Sequence, residues 1–194
     1  MERDRELFHA TGRMHSNYQR AQSFAGHIST YGLVLCALIA ATSFLYPGEA
    51  GAKVDVRVFN VIRGQLPNSY LNRVEEHVST TFNLDADLTP LFNWNTKQVY
   101  VYLSATYPGP RYVDNEVVLW DHIITSEKKA VLKLRNRKNK YPVTDISGGF
   151  NQRNGTLTFH WNTQPWVGLL RFGANTDGAQ QIEFPPPKKR ASGH

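Results

Sequence analysis

From Ala21 to Gly48 the chain carries no lysine, arginine, aspartate or glutamate, and this 28-residue interval constrains the fold more than any other feature. Its apolar heart, Leu33 to Tyr46, reads LVLCALIAATSFLY and can be extended back to Ile28. Nineteen helical residues at 1.5 Å each cover roughly 28 Å, about the hydrocarbon thickness of a bilayer. Tyr31 and Tyr46 stand near the two ends, where amphipathic rings favour the interface, and Pro47-Gly48 ends the helix. A buried helix of a soluble domain would show a polar stripe, and this one offers only Ser and Thr. Residues 28–46 therefore read as a transmembrane segment, behind an N-terminal segment spanning residues 1–27.

Two questions about that segment are separable. A cleavable secretory signal could end at Ala50-Gly51-Ala52, but the region before the apolar core is too long and the core exceeds an h-region. An uncleaved signal anchor is the better reading. Orientation by flanking charge is undecided, with Arg13 and Arg20 before the span against Lys53 and Arg57 after it. Asn154-Gly155-Thr156 is the only N-x-[ST] acceptor in the chain, and its use would make the C-terminal part lumenal.

Behind the anchor the hydrophobic period changes to two. Lys53 to Phe59 alternates polar and apolar strictly, and Val78, Thr80, Phe82 and Leu84 would share one strand face. Lys97 to Thr106, rich in β-branched and aromatic residues, reads as a central strand. Glu116–Thr125, Ala130–Leu134, Thr156–Trp161 and Gln181–Phe184 supply four more. Breaks fall at Leu66-Pro67-Asn68, Tyr107-Pro108-Gly109-Pro110, Ser147-Gly148-Gly149 and Arg153-Asn154-Gly155. Asp87 to Phe92 reads as a turn or a single helical turn. The expected fold is all-β: one N-terminal transmembrane helix, then a β-sandwich-like domain over residues 53–184, then a disordered tail from 185 to 194. The tail, Pro185 to Arg190, is proline followed by basic residues and is not expected to pack.

Chemistry is hard to assemble from these residues. Asp121 and His122 are adjacent on an expected strand, so their side chains point to opposite faces. His77 and His160 lie in other strands without zinc-ligand spacing, so no metal or cofactor is expected. No G-x-S-x-G nucleophile motif occurs, and Gly148-Gly149 lacks the lysine and the strand-to-helix setting of a phosphate loop. No catalytic residue is assigned. Cys36 is the only cysteine, which excludes an intrachain disulfide. The net charge of +6 permits an anionic partner without selecting one. The basic run Lys128, Lys129, Lys133, Arg135, Arg137, Lys138 and Lys140 reads as a solvated hairpin, and no nucleic-acid partner is expected. Contact with acidic lipid headgroups is the other use it could have. Trp94-Asn95, Trp120-Asp121 and Trp161-Asn162 each set an indole beside a short polar residue. Core positions are expected for all three, with interface anchors as the second reading.

One continuous block goes further: Leu84 to Leu88, Leu91 to Gln98, and Val99 to Ala105. It resembles the signature of the signal peptidase complex subunit 3 family, the small glycoprotein subunit of the endoplasmic reticulum enzyme. Asn115 to Asp121 and Asn154 to Thr158 leading into Trp161-Asn162 and Pro165 agree, as does Asn17 to Gly26 before the anchor. The resemblance runs from about Met14 to Phe184. Residues 1–13 and the C-terminal tail lie outside it, and Met14 is an alternative initiator. It implies an endoplasmic reticulum membrane protein of type II, with a short cytosolic N-terminus, a lumenal domain and glycosylation at Asn154. It also implies a non-catalytic accessory role, with the serine protease residues in another subunit. The implied partners are that catalytic subunit, the other small subunits and the membrane, with nascent secretory chains as a further candidate. The competing classes are an anchored binding module for carbohydrate or lipid headgroups, and an autonomous hydrolase.

Overall fold

A computed structural model describes residues 17–45, 48–64, 75–109, 112, 114–141, 143–144, 150 and 153–189. The first 16 residues, Tyr46-Pro47, the breaks at Leu66-Pro67-Asn68, Pro110 and Ser147-Gly148-Gly149, and residues 190–194 lie outside the described residues. The helix α1 spans Asn17–Thr42, beginning well before Ile28, and a 3-10 turn follows over Ser43–Leu45. Together they are long and apolar enough to cross a membrane. No α1 side chain is buried in the protein. Several of its polar side chains bond to its own carbonyls. Ser29 Oγ donates to Ala25 O at 2.9 Å, Thr30 Oγ1 to Gly26 O at 2.9 Å, and Thr42 Oγ1 to Ile39 O at 2.7 Å. Such back-bonding lowers the cost of hydroxyls in an apolar medium.

Among the described residues nine strands follow: β1 Gly51–Gly64, β2 Glu75–Asp87, β3 Thr96–Tyr107, β4 Asn115–Ile124, β5 Val131–Lys138, β6 Val143–Thr144, β7 Asn154–Pro165, β8 Arg171–Glu183 and β9 Lys188–Lys189. One sheet has the order β5-β2-β1-β9, with β6 also on β2; the second has β4-β3-β7-β8. All pairings are antiparallel except β1 with β9. The inner faces meet in one core. Val99, Val101, Leu103, Ala105 and Tyr107 alternate inward along β3, and Val78, Thr80, Phe82 and Leu84 do so along β2, as the sequence pattern requires. Phe82 meets Trp120 edge-on at 6.1 Å between the sheets. At one end of the core Phe150 stacks on Phe184 at 5.0 Å and Tyr107 closes on both. The all-β sandwich behind one apolar helix is thus present, and the turn expected at Asp87 to Phe92 holds a 3-10 turn, Thr89–Leu91.

Three expectations need amending. The last strand is not confined to Gln181–Phe184 but begins at Arg171, ten residues earlier. Its first part reads as loop because Gly173, Asn175 and Gly178 interrupt the alternation. The structure holds it through its neighbours instead: the Trp161 ring lies against Gly173, which it faces across the ladder. The basic run does not form a free hairpin. It follows a 3-10 turn at Glu127–Lys129 and then the sheet-edge strand β5, with Leu132 buried and Lys133, Arg135, Arg137 and Lys138 exposed. Charged residues on an edge strand disfavour pairing with another chain. Lastly, residues 188–189, assigned to an unpacked tail, pair in parallel with Ile62 and Arg63 of β1.

The two sheets are stitched along an open edge. Among the described residues β1 is strand-paired on its outer side only at Ile62 and Arg63, and β8 is the edge of the opposite sheet. A register shift in β1 between Val56 and Val58 turns the Val56 N–H outward, where Gln180 Oε1 accepts it at 3.0 Å. Asn175 Nδ2 donates to Ala52 O in the same seam. Side-chain amides here replace the ladder hydrogen bonds that neither edge could make alone.

Candidate functional site at the helix junction

The helix meets the sandwich at one polar knot centred on Asn95, which is 3% exposed. Its side-chain Nδ2 donates to Ser43 Oγ at 3.0 Å and to Val167 O at 2.7 Å, while Oδ1 accepts Val167 N–H at 3.2 Å. Asn95 O accepts Trp166 N–H at 2.8 Å, and Asn95 N–H donates to Asn93 Oδ1 at 2.9 Å. Every polar atom of this residue is therefore used. Arg171 Nη1 donates to Ser43 O at 3.0 Å, satisfying a carbonyl that the helix end leaves without an intrahelical partner. Below the knot an open cleft of roughly 1100 Å³ separates the sheet edges. Its walls include Glu49, Asp85, Asp87, Lys133, Trp161 and Arg171.

The tip joining β7 to β8 lies against this knot and is apolar. Trp166, Leu169, Leu170 and Phe172 are exposed, and Lys97 Nζ sits 5.2 Å from the Trp166 ring centre. None of these residues was singled out from sequence. The available signal was a β-hairpin connection reading PWVGLLRF where turn-formers are usual.

Of the tryptophans, Trp120 and Trp161 are core residues as expected. Trp94 is not: it stands 61% exposed in the turn before β3, while its neighbour Asn95 is the buried partner. Asp121 and His122 diverge, as strand alternation requires. Asp121 Oδ1 accepts Lys140 Nζ at 2.5 Å and Tyr141 Oη at 2.9 Å, whereas His122 stacks on Trp120 at 5.9 Å. The Lys140 ammonium chiefly holds the Asp121 carboxyl below its usual range; burial opposes it, and the Tyr141 hydroxyl adds a smaller lowering effect. His160 stacks flat on Tyr102 at 4.8 Å and lies 3.7 Å from Glu116; burial lowers its pKa despite that carboxylate. His77 lies on β2, opposite Ile62 of β1 and Thr144 of β6. The three histidines thus stay apart, and among the described residues no three His, Cys, Asp or Glu side chains group as metal ligands. Arg135 pairs with Asp85 at 2.8 Å on the basic edge. Asn154 opens β7 with its side chain exposed, and Gly155 behind it packs against Phe184, where a Cβ would come within 2.8 Å of the ring. Eleven residue-to-residue steps lead from Asn154 to Pro165, so the acceptor and the knot sit roughly 36 Å apart along β7.

The sequence profile described as Signal peptidase subunit matches residues 14–187. The chain belongs to this family. The match takes in α1, the knot and both sheets, and starts where the resemblance was expected to start. The chain is 36% identical over 183 residues to signal peptidase complex subunit 3 of Yarrowia lipolytica, covering 89% of this chain and 98% of that protein. Its identity to the Saccharomyces cerevisiae subunit 3 is 37% over 168 residues, covering 82% and 91% respectively. Against the Drosophila melanogaster subunit 3 the figures are 33% over 159 residues, covering 80% and 88%. Membership of the complex follows from family and coverage together. Among the described residues the surfaces that stand out are the apolar tip, the open cleft and an aromatic sheet face carrying Tyr100, Tyr102 and His160.

Proposed function

We infer that the chain is a non-catalytic accessory subunit of the signal peptidase complex in the endoplasmic reticulum membrane. It supports assembly and activity of the serine protease subunit that removes signal peptides from nascent secretory proteins. Residues 1–27 are cytosolic, residues 28–46 anchor the chain, and the β-domain over residues 53–184 is lumenal, with glycan on Asn154. The observation that carries this reading is the family match across nearly the whole chain, including the apolar helix. Two structural facts support it. Asn154 is exposed, about the length of β7 away from the helix end, so a glycan there would be clear of the bilayer. His122, His160 and Asp121 are engaged in stacking and ion pairs of the fold itself.

Affinity purification of the full chain from mild detergent tests the assignment. Recovery of a serine protease subunit with other small membrane proteins is expected; their absence would sink it. Endoglycosidase should sharpen and shift the band of the native chain but leave Asn154→Gln unchanged. An unshifted native band would contradict the lumenal orientation. Cleavage of a signal-peptide substrate by the purified chain alone would favour an autonomous hydrolase.

A further inference from the structure

We propose that the β7–β8 tip, Trp166 to Phe172, is a second membrane contact that enters the headgroup–acyl boundary beside the spanning helix. The proposal rests on the reading of α1 as a membrane span, and its test separates the two.

Height is the first argument. Gly168 lies directly against Ala40 of α1: a Cβ on this glycine would stand 3.3 Å from the Ala40 Cα and Cβ. Its φ of +124° is one that side chains rarely tolerate, so glycine serves both the turn and the close approach. Ala40 precedes Leu45, where the 3-10 turn after the helix ends, by five residues, or on the order of 8 Å of helix. If α1 spans a bilayer, the tip sits inside the level at which the helix leaves it.

Composition is the second. Leu169 and Phe172 are each 74% exposed and Trp166 67%, and Phe44 and Leu45 of the helix end are also exposed. Tip and helix end thus both present apolar side chains at their surfaces. No Asp or Glu occurs anywhere from Ile146 to Thr176. The cations next to the tip are placed as snorkelling residues are, with Lys97 over the Trp166 ring and Arg171 on the helix-terminal Ser43 carbonyl. Tryptophan and lysine are the usual side chains of this layer.

Backbone satisfaction is the third. Irregular backbone is costly in an apolar layer unless its polar groups are already bonded. Asn95 supplies those bonds: it takes the N–H groups of Trp166 and Val167 and donates to Val167 O. The buried asparagine, otherwise hard to explain in a sandwich end, makes this part of the tip compatible with the interface.

The test is a spin-label depth measurement on the full chain in phosphatidylcholine–phosphatidylserine vesicles. Native Cys36, exposed on α1, is labelled first. Cys36→Ser with Leu169→Cys then places a label on the tip, and Cys36→Ser with Glu183→Cys places one at the far end of the domain. A tip in the interface gives collisions with a water-soluble nickel chelate severalfold fewer at position 169 than at 183, with raised collisions with oxygen. Equal chelate access at 169 and 183, while Cys36 is shielded, overturns the tip proposal and leaves the span intact. Chelate access at Cys36 overturns the span, and the tip proposal with it. A tip accessible in vesicles that becomes shielded only when the rest of the complex is added overturns lipid contact in favour of a protein partner.

Discussion

Asn95 and His160 show how much single side chains decide in this protein. Asn95→Ala removes three hydrogen bonds that tie Ser43 and the β7–β8 tip to the turn before β3, and strands the Val167 N–H and C=O. At about 1 kcal/mol per lost bond the cost is about 3 kcal/mol. Thermal unfolding in detergent should show it as a drop in midpoint of several degrees, and Asn95→Asp, which buries a charge and removes both donors, should be worse. The role of Asn95 was not legible in its neighbourhood. Its partners lie 52 and 72 residues away, so the local pattern pointed to Trp94 as the buried member of the pair. His160 carries a different consequence. Its folded pKa is below the ordinary 6.5, chiefly through burial, so the unfolded chain takes up a proton that the fold resists. Stability should therefore be intact above about pH 6.5 and decline as pH falls from there through the lowered value. His160→Gln should flatten that decline in unfolding midpoints measured from pH 7.5 to 5.5, a window well above the acid range in which Asp121 titrates. An unchanged slope would assign the decline to another group.

Among the elements, β3 and β8 mark the limits of what strand periodicity reveals. β3 announces itself because Val99, Val101 and Leu103 alternate with half-exposed residues, a pattern broken only at the register shift where Ser104 is also buried. β8 buries little of its own. Between its pairings at Asn175 with Phe159 and Gln180 with Leu157 it accommodates three more residues than β7 does, and among its described side chains only Ile182 is buried. Its order comes from side-chain amides reaching the other sheet and from Trp161 covering Gly173, and neither contact has a local period. A test follows at this scale. Gln180→Ala leaves the Val56 N–H at the β1 bulge without its acceptor. Native-state hydrogen exchange should accelerate at the Val56 amide by about tenfold, for a lost bond of about 1.4 kcal/mol, while amides in β3 keep their protection. Uniform acceleration would mean that the substitution destabilises the whole domain rather than opening the seam.

At the scale of the whole molecule the chain joins two bodies whose stabilities have different origins. The sandwich has a core shared by both sheets, with Phe82, Phe150, Phe159 and Phe184 essentially inaccessible. α1 buries no side chain in it, so their joint rests on Ser43, Asn95, Arg171 and the Gly168–Ala40 contact. Helix and sandwich were both visible in sequence because each rests on a strong repeating signal, an uncharged span and a period of two. The joint was not, because it consists of a few polar atoms from distant segments. In detergent micelles the helix's backbone bonds face no competing water, whereas the sandwich depends on burial that denaturant weakens. Urea should therefore unfold the chain in parts. The emission of buried Trp120 and Trp161 should shift red cooperatively, while helical ellipticity at 222 nm, arising from the 26 residues of α1, survives that transition. Asn95→Ala should lower the midpoint of the first signal and leave the second in place. If both signals are instead lost in one coincident transition, the helix draws its stability from the sandwich, and the knot at Ser43 couples the two bodies far more tightly than these three contacts would predict.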